Sequence, residues 1–336
     1  MSGIQEIASA TGLSKSTVSR ALRNLPSVAP ATVTTVRRKA DELGYIPSSA
    51  ASGLATGRNR AVGVVVPVID RWFYVRVLEG VDAELRRAGY DLILFNLGGP
   101  PSDRERVFHR SILRKRVDAL VLLSLVFTEE EREQLELTEY PTLVIGGPAP
   151  GIRHLGIDDH DVAYRATKYL LDLGHRRIAH IGGRDEAGMN ALVPGERHEG
   201  YVDALAQAGI VPEADWSPNG EFTLAGGRDS MARLLDADVV PTAVFAASDE
   251  MAFGAMIAIQ QAGLRVPDDI SVVGIDGHVF GEVFGLTTFA QDPTAQGARA
   301  ARVLLDELTG KPALPWFDPA PVVLVERTSA APPPAH

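Results

Sequence analysis

Over the first 45 residues the apolar positions recur at helical spacing: Ile4, Ile7 and Ala8, then Val18 and Leu22. Gly12 permits a tight turn and Ser14 is an N-cap residue, so residues 12–22 read as the turn and second helix of a helix-turn-helix unit. A third helix starts at Pro30, a favoured first-turn residue, and closes at Gly44. Ala29 offers it no side-chain cap, at a cost of about 1 kcal/mol. Residues 46–60 form a linker in which Ser48 caps a helix to about Leu54. A helix that short has no independent stability, so its order comes from partners.

From Ala61 the pattern changes to short, nearly continuous apolar runs bounded by Gly, Pro, Asn or Asp: AVGVVVP, YDLILFN, DALVLLS, PTLVIGG, RRIAHIGG, TAVFAAS and ISVVGID. Such runs are buried parallel strands. Helical stretches lie between most of them, at 73–88, 102–114, 163–173, 196–208, 228–235 and 249–262. Alternation of this kind predicts an α/β protein of two lobes, each a doubly wound parallel sheet, with the break near 157–161 and ligand at the carboxyl ends of the strands. The small all-α headpiece precedes them.

Charge sharpens this division. Residues 1–60 hold eight Lys/Arg against three Asp/Glu, a net of +5, and the remainder holds 25 against 40, a net of −15. A basic head on an acidic body confines polyanion binding to the head. Lys15, Ser16, Thr17, Ser19 and Arg20 fall on or beside the outer face of the second helix, with Lys15 and Ser16 at the end that enters a major groove. Lys15 and Arg20 are the candidate base readers and Thr17 a phosphate contact. The absence of cysteine excludes disulfides. The opening MSGIQEIASATG has neither the basic nor the apolar region of a signal peptide, and no apolar run is long enough to span a membrane, so the expectation is a cytoplasmic protein.

No GxxxxGK[ST] loop, GxSxG elbow or HExxH pair occurs, and no catalytic, cofactor or metal site is expected. His154, Asp158, Asp159 and His160 read as a solvated polar loop rather than a metal cluster, and EEEREQLE from Glu129 as an exposed helix face. By position, Asp70, Trp72 and Phe73 follow the first body strand, Ser248 and Asp249 end VFAAS, and Asp276 ends ISVVGID. Arg197 begins RHEGY and Phe222 sits in GEFTLAGG. A carboxylate and a guanidinium hydrogen-bond vicinal hydroxyls while aromatic rings stack on an apolar face, a set that suits a sugar.

The segments GLSKSTVSRAL, VAPATVTTVRRKADELGYIP, SSAASGLATGR, VVGIDG and LTTF resemble the LacI family over nearly the whole chain. The resemblance implies a homodimeric transcriptional regulator, most often a repressor, on a pseudo-palindromic operator. It adds Asn24, Thr32, Ser48, Ala51 and Leu54 to the DNA-binding set, with Leu54 wedged into the minor groove from a hinge helix. It implies effector contacts at Arg197, Phe222, Asp249 and Asp276, and three crossings between the lobes near 158, 288 and 320. The expected divisions are a headpiece at 1–46, a hinge and linker at 47–60, and a sensor at 61–330. Within the sensor the N-lobe is about 61–158 plus 289–319 and the C-lobe about 159–288 plus 320–330, before a disordered tail at 331–336. DRWFY replaces the family's common SNPFF, and an acidic residue common near Gly146 is missing, so the effector need not be that of any well-known relative. A nucleobase-responsive regulator is the alternative within the family, and a periplasmic sugar-binding protein the alternative outside it.

Overall fold

A computed structural model describes residues 3–22, 26–45, 58–98, 104–105, 107–108, 116–136, 140–147, 151–183, 192–213, 215–312 and 316–334. Two compact units result, one up to Asn59 and one from Arg60.

In the first unit α1 (Ile4–Thr11), α2 (Lys15–Leu22) and α3 (Pro30–Glu42) close on Ile7, Ala8, Val18, Ala21, Val33, Val36 and Ala40. Ala21 rather than Leu22 joins Val18 in this core, and Leu22 packs at its edge. Gly12 ends α1 in the left-handed region, φ 70°, which a glycine adopts without steric cost. As expected from Ala29, α3 begins with no side-chain cap.

All seven apolar runs are strands. In the N-lobe β1 (Ala61–Val66), β2 (Asp91–Asn96), β3 (Ala119–Leu123), β4 (Thr142–Ile145), β5 (His154–Gly156) and β10 (Phe317–Pro319) form a parallel sheet ordered β10-β5-β4-β3-β1-β2. In the C-lobe β6 (Ile178–Ile181), β7 (Ala243–Ala246), β8 (Ser271–Asp276), β9 (Thr287–Ala290) and β11 (Val323–Val325) are ordered β11-β9-β8-β7-β6. Only β11 departs from parallel pairing, running antiparallel to β9 at the sheet edge.

Helices cover both faces. In the N-lobe α4 (Trp72–Ala88) and α11 (Pro293–Leu308) bury Val77, Val81, Leu85, Ala300, Ala301 and Leu304 against β1, β3 and β4, while α5 (Glu129–Glu136) places Leu135 in the core on the other face. The C-lobe sheet is covered by α6 (Asp159–Asp172), α7 (Leu192–Gln207), α8 (Leu224–Leu235) and α9 (Asp249–Gln261), with the short α10 (Gly281–Phe284) after β8. Three of these start four residues before the expected positions: α6 with the polar turn Asp159-His160-Asp161, and α7 and α8 with LVPG and LAGG, whose Pro and Gly are poor helix formers. Asp158, Thr223, Ser248 and Asp292 cap α6, α8, α9 and α11 by accepting from backbone N–H groups.

Two expected boundaries move. Thr287, Thr288, Phe289 and Ala290 pair with β8, so the second crossing lies after 290 rather than at 288. The tail expected to be disordered from 331 is held over 331–334. His175 Nε2 lies 2.8 Å from the Ala331 carbonyl oxygen, and Ala331 N–H donates to Ser271 Oγ at 3.0 Å. Composition suggests a free tail, but these bonds satisfy its backbone against buried polar groups.

Candidate functional site

The carboxyl ends of the strands of both lobes face one cleft with about 860 Å³ of atom-free space, part of it open to solvent. Arg71, Phe73 and Tyr74 enter it from the start of α4, Ser124 from the end of β3, and Gly146 and Gly156 from β4 and β5. The C-lobe contributes Asp159, Arg197, Phe222, Ser248, Glu250 and Asp276, the second crossing contributes Gln291, and the start of α11 contributes Gln296. Three lining residues without the freedom of glycine hold positive φ: Ser124 at 44°, Phe222 at 50° and Asp276 at 129°. Backbone strain of this kind gathers at ligand sites, where the surrounding packing over-determines it.

Arg197 organises the C-lobe wall. It is buried on α7, donates from Nε to Asp159 Oδ1 at 2.8 Å, and donates from Nη1 to the Ala247 carbonyl. Its guanidinium carbon lies 6.0 Å from the Phe222 ring centre, within cation–π reach. Burial pushes the Asp159 carboxyl up, and the Arg197 charge opposes this. Asp276 accepts from Gln291 Nε2 at 2.8 Å. Its carboxyl is raised to about 6 by burial, against the pull of Arg197.

Arg197, Phe73, Phe222, Ser248 and Asp276 therefore share the cleft, while three other candidates do not. Asp249 is fully buried behind it: Oδ1 accepts from Thr288 Oγ1 and Oδ2 from the His278 N–H, each at 2.7 Å. A Cβ on Gly274 would lie 2.2 Å from that Oδ1, so the glycine of GID makes room for the carboxylate. Asp249 thus joins β8, β9 and α9, and the next residue, Glu250, faces the cleft instead. Trp72, at the first position of α4, turns away to lie 4.7 Å from the His278 ring. Asp70 is exposed, 3.7 Å from Arg71. Glu250 was missed because an acid at a helix start reads equally well as a cap, and Asp159 because its polar neighbours read as a solvated loop. Arg71, Gln291 and Gln296 carry no spacing signal at all.

In the headpiece Lys15, Ser16 and Arg20 are exposed on α2, Thr17 and Ser19 are half-buried, and Thr32 is half-buried on α3. Ser14 Oγ accepts from the Thr17 N–H at 3.1 Å and lies 2.8 Å from both Ser16 Oγ and Thr17 Oγ1, which fixes the exposed start of α2. Arg20 Nε donates to the Ser16 carbonyl at 3.2 Å. Asn24, Ser48, Ala51 and Leu54 lie outside the described residues. No helix among the described residues is long and apolar enough to cross a membrane, and no cluster of three His, Cys, Asp or Glu able to hold a metal occurs among them.

The family of bacterial regulatory proteins, lacI family, matches residues 3–48, and the periplasmic binding protein-like domain matches 167–330. The HTH-type transcriptional repressor PurR of Vibrio vulnificus (strain CMCP6) is 35% identical over 319 residues, 93% of each chain. The chain belongs to the LacI family. Among solved structures, a complex of the transcriptional regulator CelR with cellobiose is 31% identical, with a TM-score of 0.72 over 98% of this chain and 100% of that one. The lac repressor dimer bound to operator and the anti-inducer ONPF is 26% identical, with a TM-score of 0.86 over 98% and 99%.

This LacI-family protein is a DNA-binding transcriptional repressor, and α2 carries the exposed polar face of its helix-turn-helix. Within its cleft Glu250 has a measurable signature. Burial first, and the nearby Asp276 second, push its carboxyl up to about 7, with Arg71 opposing. Between the ordinary carboxylate range and about 7 the folded state then holds a proton that the unfolded chain has lost, so the penalty for the charge is present above that window and absent below it. Glu250→Gln should be more stable than the wild type by about 1–2 kcal/mol at pH 8, a figure discounted for partial exposure. The gap should close as the pH falls to 5. Urea titrations at both pH values check this, and a gap independent of pH would contradict it.

Proposed function

We propose that the protein is a homodimeric repressor whose operator affinity is set by a neutral sugar bound between the lobes. One observation carries the effector reading: a buried guanidinium and a buried carboxylate, Arg197 and Asp276, line the same cleft as the Phe73 and Phe222 rings. Charged groups fixed by other side chains hydrogen-bond hydroxyls with little reorganisation, and flat apolar faces receive the sugar ring. The similarity to a regulator solved with cellobiose supports the same class. Exposed apolar side chains on both lobes, Val75 and Leu94 on one and Val279, Phe280 and Val283 on the other, support a dimer. A ligand preferring one angle between the lobes shifts the population of that angle, and the linker at 47–60 passes the change to the headpieces.

A thermal-shift panel of mono- and disaccharides against purines tests the effector class, and sedimentation tests the dimer. Stabilisation by purines alone would overturn the sugar reading. Operator binding by fluorescence anisotropy tests the DNA face: affinity should fall steeply with salt. Arg20→Ala should cost about 1–3 kcal/mol on a selected site and far less on random DNA. Equal losses on both would reassign Arg20 to the phosphate backbone.

A further inference from the structure

Three side chains along the cleft form a directed chain of hydrogen bonds. Gln291 Nε2 donates to Asp276 Oδ1 at 2.8 Å, and Gln296 Nε2 donates to Gln291 Oε1 at 2.8 Å. The direction has a physical origin. An ionised carboxylate only accepts, so Asp276 draws the amide nitrogen of Gln291; the Gln291 oxygen then faces Gln296 and draws its nitrogen in turn. What remains is Gln296 Oε1. Gln296 is 3% exposed, lines the cleft, and this oxygen has no hydrogen-bond partner among the described residues. An acceptor buried without a donor is costly, and Gln296 cannot offer its nitrogen at this position, because that nitrogen is held by the Gln291 oxygen. The three residues also span both lobes: Asp276 ends β8, Gln291 lies in the crossing, and Gln296 is on α11.

We propose that Gln296 selects the effector from the N-lobe side, its Oε1 accepting from an O–H or N–H of a neutral ligand that Asp276 and Arg197 hold from the C-lobe. This deepens the effector reading above and rests on it. A group that only accepts, such as a carboxylate or phosphate, meets a carbonyl oxygen at this point and is rejected. A ligand lacking the donor leaves Oε1 unpaired and binds about 10- to 100-fold more weakly.

The test is calorimetry on the full chain, wild type and Gln296→Met. The probes are D-glucose, cellobiose and their monodeoxyfluoro analogues, then adenine, guanine and hypoxanthine with their N-methyl analogues. For a compound that binds the wild type, one analogue stripped of a single donor should lose about 10- to 100-fold on the wild type and under about twofold on Gln296→Met, with the remaining analogues losing equally on both. Equal losses throughout, or full affinity of the parent for Gln296→Met, overturns the assignment. A sugar that binds without this pattern refutes Gln296 and leaves the sugar reading; a purine alone showing it refutes the sugar reading and leaves Gln296. Binding of neither class refutes the proposal. Should the variant fail to fold, the wild-type protein still decides: the Gln296 side-chain carbonyl ¹³C resonance should move with the parent and not with the stripped analogue, and its failure to move overturns the proposal.

Discussion

Arg197→Ala should abolish the response of operator binding to effector, weakening effector binding by about 100-fold or more, while effector-free operator affinity stays within a few-fold. The same change should destabilise the C-lobe by about 3–5 kcal/mol, since removing one partner of a buried ion pair leaves the other charge uncompensated. Here that charge is Asp159, itself 3% exposed, whose carboxylate is bonded by Arg197 Nε and Nη2 at 2.8 and 2.7 Å. The two effects separate in the double variant. Arg197→Ala with Asp159→Asn removes the stranded charge and should recover much of the stability without recovering the response. Urea denaturation reads the first quantity, and fluorescence anisotropy with and without saturating effector reads the second. A double variant that responds normally would show that the cleft is not the sensing site.

Gly297→Ala should cost about 3 kcal/mol, at the upper end for overpacking. Helices α4 and α11 cross at reciprocal glycines: a Cβ on Gly80 would lie 1.9 Å from the Thr294 carbonyl oxygen, and one on Gly297 would lie 2.1 Å from that of Val77. Both obstacles are backbone, so neither can swing aside as a flexible side chain would, and the helices have to separate. Gly195→Ala is the control. Its Cβ would meet nothing within 4 Å, so on α7 the gain in helix propensity should stabilise by up to about 1 kcal/mol. Equal stability of Gly297→Ala and the wild type in urea would mean that α4 and α11 do not cross as described.

The seven apolar runs, the helices at α4 and α6 to α9 and the capped turn at Ser14 were legible in the sequence because each depends on residues within one turn or one strand, while most of the helix expected at 102–114 lies outside the described residues. The basic head on an acidic body was legible for a similar reason, charge being additive along the chain. Position at a strand end for Asp276 and near a helix start for Arg197 was enough to bring them to one cleft, although 78 residues separate them. It was not enough to tell Asp249 from Glu250. Both begin α9, and which carboxylate turns inward depended on the space above Gly274 and the Thr288 hydroxyl on a neighbouring strand. Asp159 read as part of a solvated loop until Arg197, from α7, buried it in an ion pair. Trp72 likewise left the cleft because His278, two residues beyond β8, offered it a ring to lie against. By itself the sequence determined the elements, their order and the charge of each part, all of which follow from local periodicity and composition. Only the tertiary structure decided which polar side chains face the ligand, because that choice is set by contacts between elements distant in the chain, where a buried charge goes to whichever partner can compensate it.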